Sequence, residues 1–167
     1  MLRWAVEECS GPVAIRYPRG GEGSYSGSDW SGSDGSLVKC HRQGKDVTLI
    51  TYGSMLDNVL EAAQMLAEQG VEATVLRLLT VSDLPAKELV SNLPENHRVI
   101  VAEEVCRGSG IREALAWELQ KEVPDCQVFG MDLGRDFVPH GSQKELYRHC
   151  GLDARSIAAY TKEVLSK

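Results

Sequence analysis

Short apolar runs alternate with segments of helical periodicity from residue 47 onward, and this alternation limits the chain to a small set of folds. Residues 47–52 form a continuous apolar run, which is typical of a strand that a parallel sheet buries on both faces. The next segment, residues 55–67, carries apolar side chains every three or four positions, as an amphipathic helix does. Because strand–helix–strand connections are right-handed, repeated units of this kind build a mostly parallel sheet with helices on both faces. The pattern predicts an α/β fold: a three-layer α/β/α sandwich around a mixed, mostly parallel five-stranded sheet.

The remaining elements follow from the same two periodicities and from turn and cap residues. Ser142 and Asp153 are residue types that cap helix N-termini, and each precedes a helical pattern. Near the start of the chain, a helical pattern over residues 1–9 precedes a short apolar run at 12–16, which we predict to be a strand. The sequence also predicts an edge strand at 37–40, strands at 71–79, 98–102 and 126–130, and helices at 84–93, 111–119, 142–149 and 153–165.

A segment rich in Gly, Ser and Asp divides the chain at residues 20–35. With almost no aliphatic side chains, it cannot offset its ordering entropy by burial, which is typical of a linker. The helix and strand predicted before it are too few to bury their own apolar faces. We therefore expect residues 1–20 to be the tail of a preceding domain, residues 21–35 a linker, and residues 36–167 the main domain.

Charge and cysteine content exclude several classes of function. The net charge of −6 argues against a nucleic-acid or anionic-membrane surface, since both need clustered Lys and Arg. Five cysteines, an odd number, include no CxxC pair and lack the short Cys/His spacings of a metal site. No apolar run approaches the roughly 20 residues of a membrane-spanning helix. We expect a reduced, cytoplasmic protein without a metal site, nucleic-acid partner or membrane partner.

The run around Pro18 is the most distinctive candidate for ligand binding. Arg16 and Arg19 flank the rigid proline, with Tyr17 beside them, at the end of a predicted strand. Arginine donates to phosphate oxygens in a planar, bidentate manner, so the two arginines are a candidate phosphate site. Because the run adjoins the predicted linker, a salt bridge between domains explains it equally well.

Gly53 and Ser54 form a second candidate, since they follow a strand and open a helix. Free N–H groups and the helix dipole at such a position can hold an anion. The same two residues are also needed merely to turn the chain and cap the helix. The sequence favours this second interpretation, because it lacks a P-loop lysine and a complete dinucleotide-binding glycine pattern.

Three further polar residues lie at predicted strand or helix ends. Glu103 and Glu104 end a buried strand, where neighbouring side chains point in opposite directions, so they do not form an obvious acid/base pair. An interface or loop-bracing role is favoured over catalysis for both. His140, in the loop before a helix, is expected to be a hydrogen-bonding brace. No catalytic residue set is predicted.

Several segments of the chain, taken in order, match the motifs of one known family. Residues 12–20 read Pro-Val-Ala-Ile-Arg-Tyr-Pro-Arg-Gly. The longest match is Gly-Met-Asp-Leu-Gly-Arg-Asp-Phe-Val-Pro-His-Gly-Ser-Gln-Lys-Glu-Leu at 130–146, followed by Gly-Leu-Asp at 151–153. Shorter matches at 50–54, 75–85 and 101–104 lie between them. Together these segments resemble the 1-deoxy-D-xylulose-5-phosphate synthase family, and residues 12–20 are similar to the segment that closes its pyrimidine-binding domain. The family's glycine loop is shortened here at 103–110 and its Arg-Phe stretch is replaced at 77–84, which leaves related families open.

The resemblance implies a transketolase C-terminal-domain fold in a larger enzyme that condenses pyruvate with glyceraldehyde 3-phosphate. It implies thiamine diphosphate and Mg²⁺ as cofactors, held by N-terminal domains or a subunit absent here, so that the isolated chain is inactive and binds neither. It implies a homodimer, and it assigns the substrate phosphate to Arg16, Tyr17 and Arg19. The alternatives are another transketolase, a 2-oxoacid dehydrogenase β subunit, a non-catalytic assembly module, or an anion-binding protein using Gly53 and Ser54.

Overall fold

The structure, a computed structural model, describes residues 2–14 and 36–167. Its helices and strands follow one another in the predicted order, except for the strand predicted at residues 12–16. They are α1 (Leu2–Glu7), β1 (Val38–Arg42), β2 (Val47–Thr51), a 3₁₀ turn (Gly53–Met55), α2 (Leu56–Ala67), β3 (Ala73–Leu78), α3 (Ala86–Val90), β4 (Arg98–Ala102), α4 (Arg112–Glu122), β5 (Gln127–Met131), α5 (Gln143–His149) and α6 (Ala154–Leu165).

The five strands form one sheet in the order β1-β3-β2-β4-β5. Strands β3, β2, β4 and β5 are parallel, whereas β1 pairs with the outer edge of β3 in the antiparallel sense. The central strand β2 is buried along its whole length, as its continuous apolar run predicts. The mixed, mostly parallel sheet is therefore confirmed.

Helices cover both faces of this sheet. Leu49 and Ile50, neighbours in β2, illustrate the alternation: Leu49 packs in the layer formed with α2 and α6, and Ile50 in the layer formed with α3 and α4. Strand β4 alternates in the same way, with Ile100 on the α2 side and Val101 on the α4 side. Two apolar layers on opposite faces of one sheet make the predicted three-layer α/β/α sandwich.

The connection order places a topological switch point between β2 and β4. From β2 the chain moves to β3 on one side, and then crosses to β4 on the other side of β2. Open α/β sheets bind ligands in the crevice beyond the carboxyl ends of such strands. Here that position lies between residues 52–54 and residues 103–104, which include four of the candidate site residues identified from the sequence.

The strand predicted at residues 12–16 is wrong for residues 12–14, which adopt no regular secondary structure. A strand needs a neighbouring strand to satisfy its backbone hydrogen bonds, and the five-stranded sheet is built without this segment. Residues 15–35, which include most of the predicted linker, lie outside the described residues. The predicted domain boundaries therefore remain predictions.

Within the described parts of the chain, none of the helices combines the length and the apolarity that crossing a bilayer demands.

Candidate functional site

The carboxyl edge of the sheet brings together four of the residues predicted from the sequence. The Tyr52 hydroxyl donates to the Glu103 carboxylate over 3.0 Å, and the Ser54 hydroxyl donates to the Glu104 carboxylate over 2.9 Å. Gly53 lies between Tyr52 and Ser54, with a positive φ of 61° that suits glycine. The switch point is therefore spanned by two hydrogen bonds between the ends of β2 and β4.

Among the other predicted site residues, His140 lies in the described part of the chain, where it is exposed in the loop that leads to α5. Arg16, Tyr17 and Arg19 lie outside the described residues. Their assignment to the substrate phosphate is consequently a prediction that this structure leaves untested.

Glu103 is buried, with 4% of its surface exposed. Its Oε2 atom accepts a hydrogen bond of 2.9 Å from the backbone N–H of Ile111, and its Oε1 atom accepts one of 3.4 Å from the N–H of Arg112. These N–H groups belong to the first turn of α4, where a helix has no internal acceptors and carries partial positive charge. The Glu103 carboxylate thus occupies the place at this helix end where other proteins bind an anionic ligand.

The glycine at position 110 makes this arrangement sterically feasible. A Cβ atom on Gly110 would overlap the Glu103 carboxylate. Gly110 therefore lets the loop between β4 and α4 close directly over the buried carboxylate. Gly110 thus serves the packing of a side chain of the protein itself.

Glu104 points to the opposite face of the sheet and joins a different set of groups. Its Oε2 atom accepts hydrogen bonds of 2.9 Å from both the Ser54 and the Tyr147 hydroxyls. The Gln143 side chain donates to the Tyr147 hydroxyl over 3.0 Å. Burial, followed by the interaction with Glu104, raises the pKa of Tyr147 above its ordinary value, so the phenol stays protonated at neutral pH. Helix α5 is in this way attached to the switch point.

These contacts change the interpretation of Ser54. The expected helix cap is wrong: α2 begins after Met55 without a side-chain cap, and the 3₁₀ turn before it also lacks one. The reason is that the Ser54 hydroxyl is already committed to Glu104. Anion binding at Gly53 and Ser54 remains a prediction, and a carboxylate hydrogen-bonded to Ser54 opposes it electrostatically.

Sequence reasoning missed Asp132, which follows β5 and has only 4% of its side chain exposed. Its carboxylate forms ion pairs with Arg107 at 3.2 Å and with Arg112 at 3.5 Å. The Arg112 side chain in turn lies over Gly130, where a Cβ would overlap it. A hydrogen bond to Glu113 is the largest of the effects that raise the pKa of Arg112. A carboxylate directly after a strand of the sheet was the signal available in the sequence.

The described residues do not fit the cofactors that the resemblance implies. Within residues 2–14 and 36–167, no group of three or more His, Cys, Asp or Glu side chains is arranged to hold a metal ion. Of the two helix starts at the switch point, that of α4 is occupied by the Glu103 carboxylate, and the Ser54 hydroxyl at the other is hydrogen-bonded to Glu104. The carboxylates at this edge brace loops and helices, and no nucleophile or acid/base pair is assembled among them.

Comparison with known proteins gives the same domain type. Residues 36–157 match the family described as "Transketolase, C-terminal domain". The chain is 32% identical over 165 residues to 1-deoxy-D-xylulose-5-phosphate synthase of Heliobacterium modesticaldum, and 34% identical over 154 residues to that of Desulforudis audaxviator. These alignments cover 98% and 91% of this chain, but 25% and 24% of those proteins. The chain thus spans about a quarter of the length of these relatives.

Solved structures show the same fold. A split-gene transketolase in an inactive β4 tetramer is 29% identical and superposes with a TM-score of 0.67 over 77% of this chain and 41% of that chain. A transketolase from Pichia stipitis is 17% identical with a TM-score of 0.58 over 79% of this chain and 18% of that chain, which shows the fold alone. The predicted fold and the resemblance are confirmed, and the chain belongs to the transketolase C-terminal domain family.

Proposed function

We propose that the chain is the C-terminal domain or subunit of a thiamine-diphosphate-dependent 1-deoxy-D-xylulose-5-phosphate synthase, which condenses pyruvate with glyceraldehyde 3-phosphate. The observation that carries this proposal is the extent of the similarity. The family match begins at residue 36, whereas the alignment to the Heliobacterium synthase covers 98% of the chain. The similarity therefore includes the segment around Arg16 and Arg19, which a C-terminal domain shared by fold alone would not require.

In this proposal the chain supports the cofactor-binding domains by packing against them, while other parts of the enzyme hold the cofactor and carry out the reaction. Thiamine diphosphate supplies the electron sink for the decarboxylation of pyruvate. We assign it, with Mg²⁺, to N-terminal domains or a subunit outside this chain, because Glu103 occupies the start of α4 at the switch point and Ser54, at the other helix start there, is bonded to Glu104. The contribution of the described residues is packing against those domains.

Arg16, Tyr17 and Arg19 are the residues of this chain that we propose to contact the substrate. Glyceraldehyde 3-phosphate carries a dianionic group, and an arginine pair around a proline offers fixed, planar donors to it. Pyruvate has no phosphate, so the arginines distinguish the acceptor from the donor substrate.

The proposal is tested by reconstitution. The purified chain is combined with the cofactor-binding part of the enzyme, thiamine diphosphate, Mg²⁺, pyruvate and glyceraldehyde 3-phosphate, and the deoxyxylulose phosphate product is quantified by mass spectrometry. We expect product only when both protein parts and both substrates are present. Tight binding of thiamine diphosphate by the isolated chain, measured by calorimetric titration, contradicts the assignment of the cofactor to other domains.

A split transketolase is the second candidate function, favoured by the likeness to the split-gene transketolase at 29% identity and a TM-score of 0.67. The same reconstitution separates the two candidates. A transketolase transfers a two-carbon unit from a ketose phosphate without releasing CO₂, whereas the synthase releases CO₂ from pyruvate. Both candidate functions include a homodimer and a cytoplasmic location. Sedimentation of the assembled enzyme tests whether it is a homodimer.

A further inference from the structure

The loop between β5 and α5, residues 132–142, presents the most exposed aromatic side chain in the described part of the protein. Phe137 is 104% exposed relative to an extended reference, and Val138 beside it is 37% exposed. A phenylalanine carries one of the largest apolar surfaces among the side chains, and its exposure to water is unfavourable. We call residues 132–142 the Phe137 loop.

The base of the Phe137 loop is firmly held. The N–H of Leu133 donates to the Val105 carbonyl over 3.0 Å, and the N–H of Arg107 donates to the Gly134 carbonyl over 2.9 Å. These two bonds join the loop to the neighbouring loop after β4. The buried Asp132 carboxylate adds ion pairs to the same place.

The far end of the loop is also fixed. Ser142 and Glu145 form a reciprocal capping box at the start of α5, in which each side chain accepts from the backbone of the other. Phe137 therefore projects from a loop that is anchored at both ends. Because both ends of the loop are held by hydrogen bonds to the rest of the domain, the exposure of Phe137 reflects where the loop tip lies and not a detached loop.

Polar side chains flank the apolar pair Phe137 and Val138 along the loop. Arg135, Asp136 and His140 are exposed within it, and Arg107 is exposed on the adjacent loop. An apolar anchor encircled by a polar rim is the arrangement of a protein–protein contact. The rim carries charges of both signs, which disfavours a contact with a highly charged ligand such as nucleic acid.

We propose that the Phe137 loop is the anchor by which this domain docks onto the thiamine-diphosphate-binding part of the enzyme. The inference rests on the proposed function, because that function requires such a part. The relatives are about four times as long as the chain, which covers 25% of the Heliobacterium synthase, so a larger body must contact this domain.

A second copy of the chain is a poorer occupant for the tip. A two-fold contact centred on this loop would place the same surface patch on both copies, and its exposed apolar residues are Phe137 and Val138. A symmetric contact limited to such a patch falls short of the roughly 800 Å² per partner that a stable interface needs. We therefore assign the loop to the contact with the cofactor-binding part.

The test compares Phe137→Ala with Trp117→Ala. Trp117 is a matched control, since it is also a large aromatic side chain, 65% exposed, but lies on the outer face of α4 beside Lys121. Binding of the purified chain to the cofactor-binding part, produced separately, is measured by calorimetric titration. We expect Phe137→Ala to raise Kd roughly ten- to a hundredfold, the effect of losing one buried aromatic side chain, and Trp117→Ala to leave Kd unchanged.

Thermal melts of the unmixed chain accompany the titrations. Because Phe137 is fully exposed in the chain, Phe137→Ala should melt at the wild-type temperature. An unchanged Kd for Phe137→Ala, or equal weakening by both variants, overturns the proposal. The proposal is also overturned if the wild-type chain self-associates in sedimentation and Phe137→Ala makes it monomeric. The partner of the loop would then be a second copy of the chain.

The outcome for docking is separable from the outcome for the proposed function. If the wild-type parts bind and Phe137→Ala weakens binding, docking stands even when no deoxyxylulose phosphate is formed. If product is formed and the Phe137→Ala complex binds as tightly as wild type, the proposed function stands and the docking assignment fails. No binding between the wild-type parts overturns both.

Discussion

The Glu103 carboxylate accepts a hydrogen bond of 2.9 Å from the backbone N–H of Ile111, at the start of helix α4. Nucleotide-binding α/β proteins place a ligand phosphate at a helix end of this kind. Here the negative charge belongs to the chain, is 4% exposed, and also accepts from the Tyr52 hydroxyl. The switch point is consequently a structural joint between β2, β4 and α4, and its carboxylate contributes to stability.

Replacing Glu103 with alanine should lower the free energy of unfolding by about 1–3 kcal/mol, because the Ile111 N–H and the Tyr52 hydroxyl lose their acceptor in a buried place. Glu61→Ala is the control, since Glu61 is an exposed glutamate on α2, and we expect a change of about 0.5 kcal/mol or less. Urea unfolding followed by circular dichroism measures both. Equal losses for the two variants would contradict the bracing role of Glu103.

Gly44→Ala should destabilise the protein by about 1–3 kcal/mol through a steric clash with backbone. A Cβ at this position would overlap the backbone of Glu72 and Ala73, and backbone cannot move aside as a side-chain end can. The clash separates the β1–β2 turn from β3, where the Gly44 N–H donates to the Thr74 hydroxyl over 2.9 Å.

The control for Gly44→Ala is Gly11→Ala, where a Cβ has no atom within 4 Å. For a chain of this size, a loss of 1 kcal/mol corresponds to a fall of roughly 2–4 °C in Tm. Differential scanning calorimetry should therefore show a clear fall for Gly44→Ala and almost none for Gly11→Ala. A similar Tm for both variants would show that the turn relaxes without cost.

The sequence predicted those features of the fold that short-range signals encode. The caps at Ser142 and Asp153 are confirmed, since each side chain accepts from a backbone N–H three residues later in the same helix. The hydrogen bonds of Ser54 could not be predicted, because its partners Glu104 and Tyr147 are 50 and 93 residues away. Their meeting depends on the order of strands in the sheet, which the apolar pattern does not specify.

Site prediction was limited for the same reason. Strand geometry predicts that the side chains of Glu103 and Glu104 point in opposite directions. In the structure they accept hydrogen bonds from different groups, Glu103 from the Ile111 N–H and Glu104 from the Ser54 hydroxyl. Asp132 was passed over because its two arginine partners come from another loop and helix. A carboxylate becomes recognisable as buried and paired only when the neighbouring strand is known.

Cys126 should resist alkylation in the folded protein. Burial, with a smaller contribution from Asp125, raises the pKa of its thiol to about 11, and the thiolate is the form that reacts. Cys40 and Cys106 are exposed. At pH 8, iodoacetamide should modify these two first and Cys126 only under denaturing conditions, as measured by peptide mass spectrometry. Modification of Cys126 at the rate of Cys40 would contradict its burial.

The same thiol predicts a loss of stability in alkaline solution. A raised pKa means that the folded chain holds a proton that the unfolded chain releases, so its contribution is complete below about pH 9 and is lost as the pH rises towards about 11. The free energy of unfolding of wild type should fall across this range. Cys126→Ala should show a shallower fall, although the raised pKa of Tyr147 leaves part of the slope.

Arg16→Ala and Arg19→Ala, each in the assembled enzyme, test the proposed phosphate contact. A charge-assisted hydrogen bond is worth about 1.5–3 kcal/mol. Replacing the arginine that binds phosphate should therefore raise KM for glyceraldehyde 3-phosphate roughly ten- to a hundredfold. KM for pyruvate should stay near the wild-type value, since pyruvate has no phosphate. Arg155→Ala, an exposed arginine on α6, is the control and should change neither constant.

Lysine at the sensitive position separates a phosphate contact from a salt bridge between domains. Lysine keeps the charge but loses the planar, bidentate donors, so it should recover only part of the affinity for the phosphorylated aldehyde. A salt bridge between domains acts on the whole enzyme, and its loss should alter both KM values and the melting temperature together. Equal effects on the two substrates would therefore assign the arginines to the domain interface, and a selective effect would assign the sensitive arginine to the substrate.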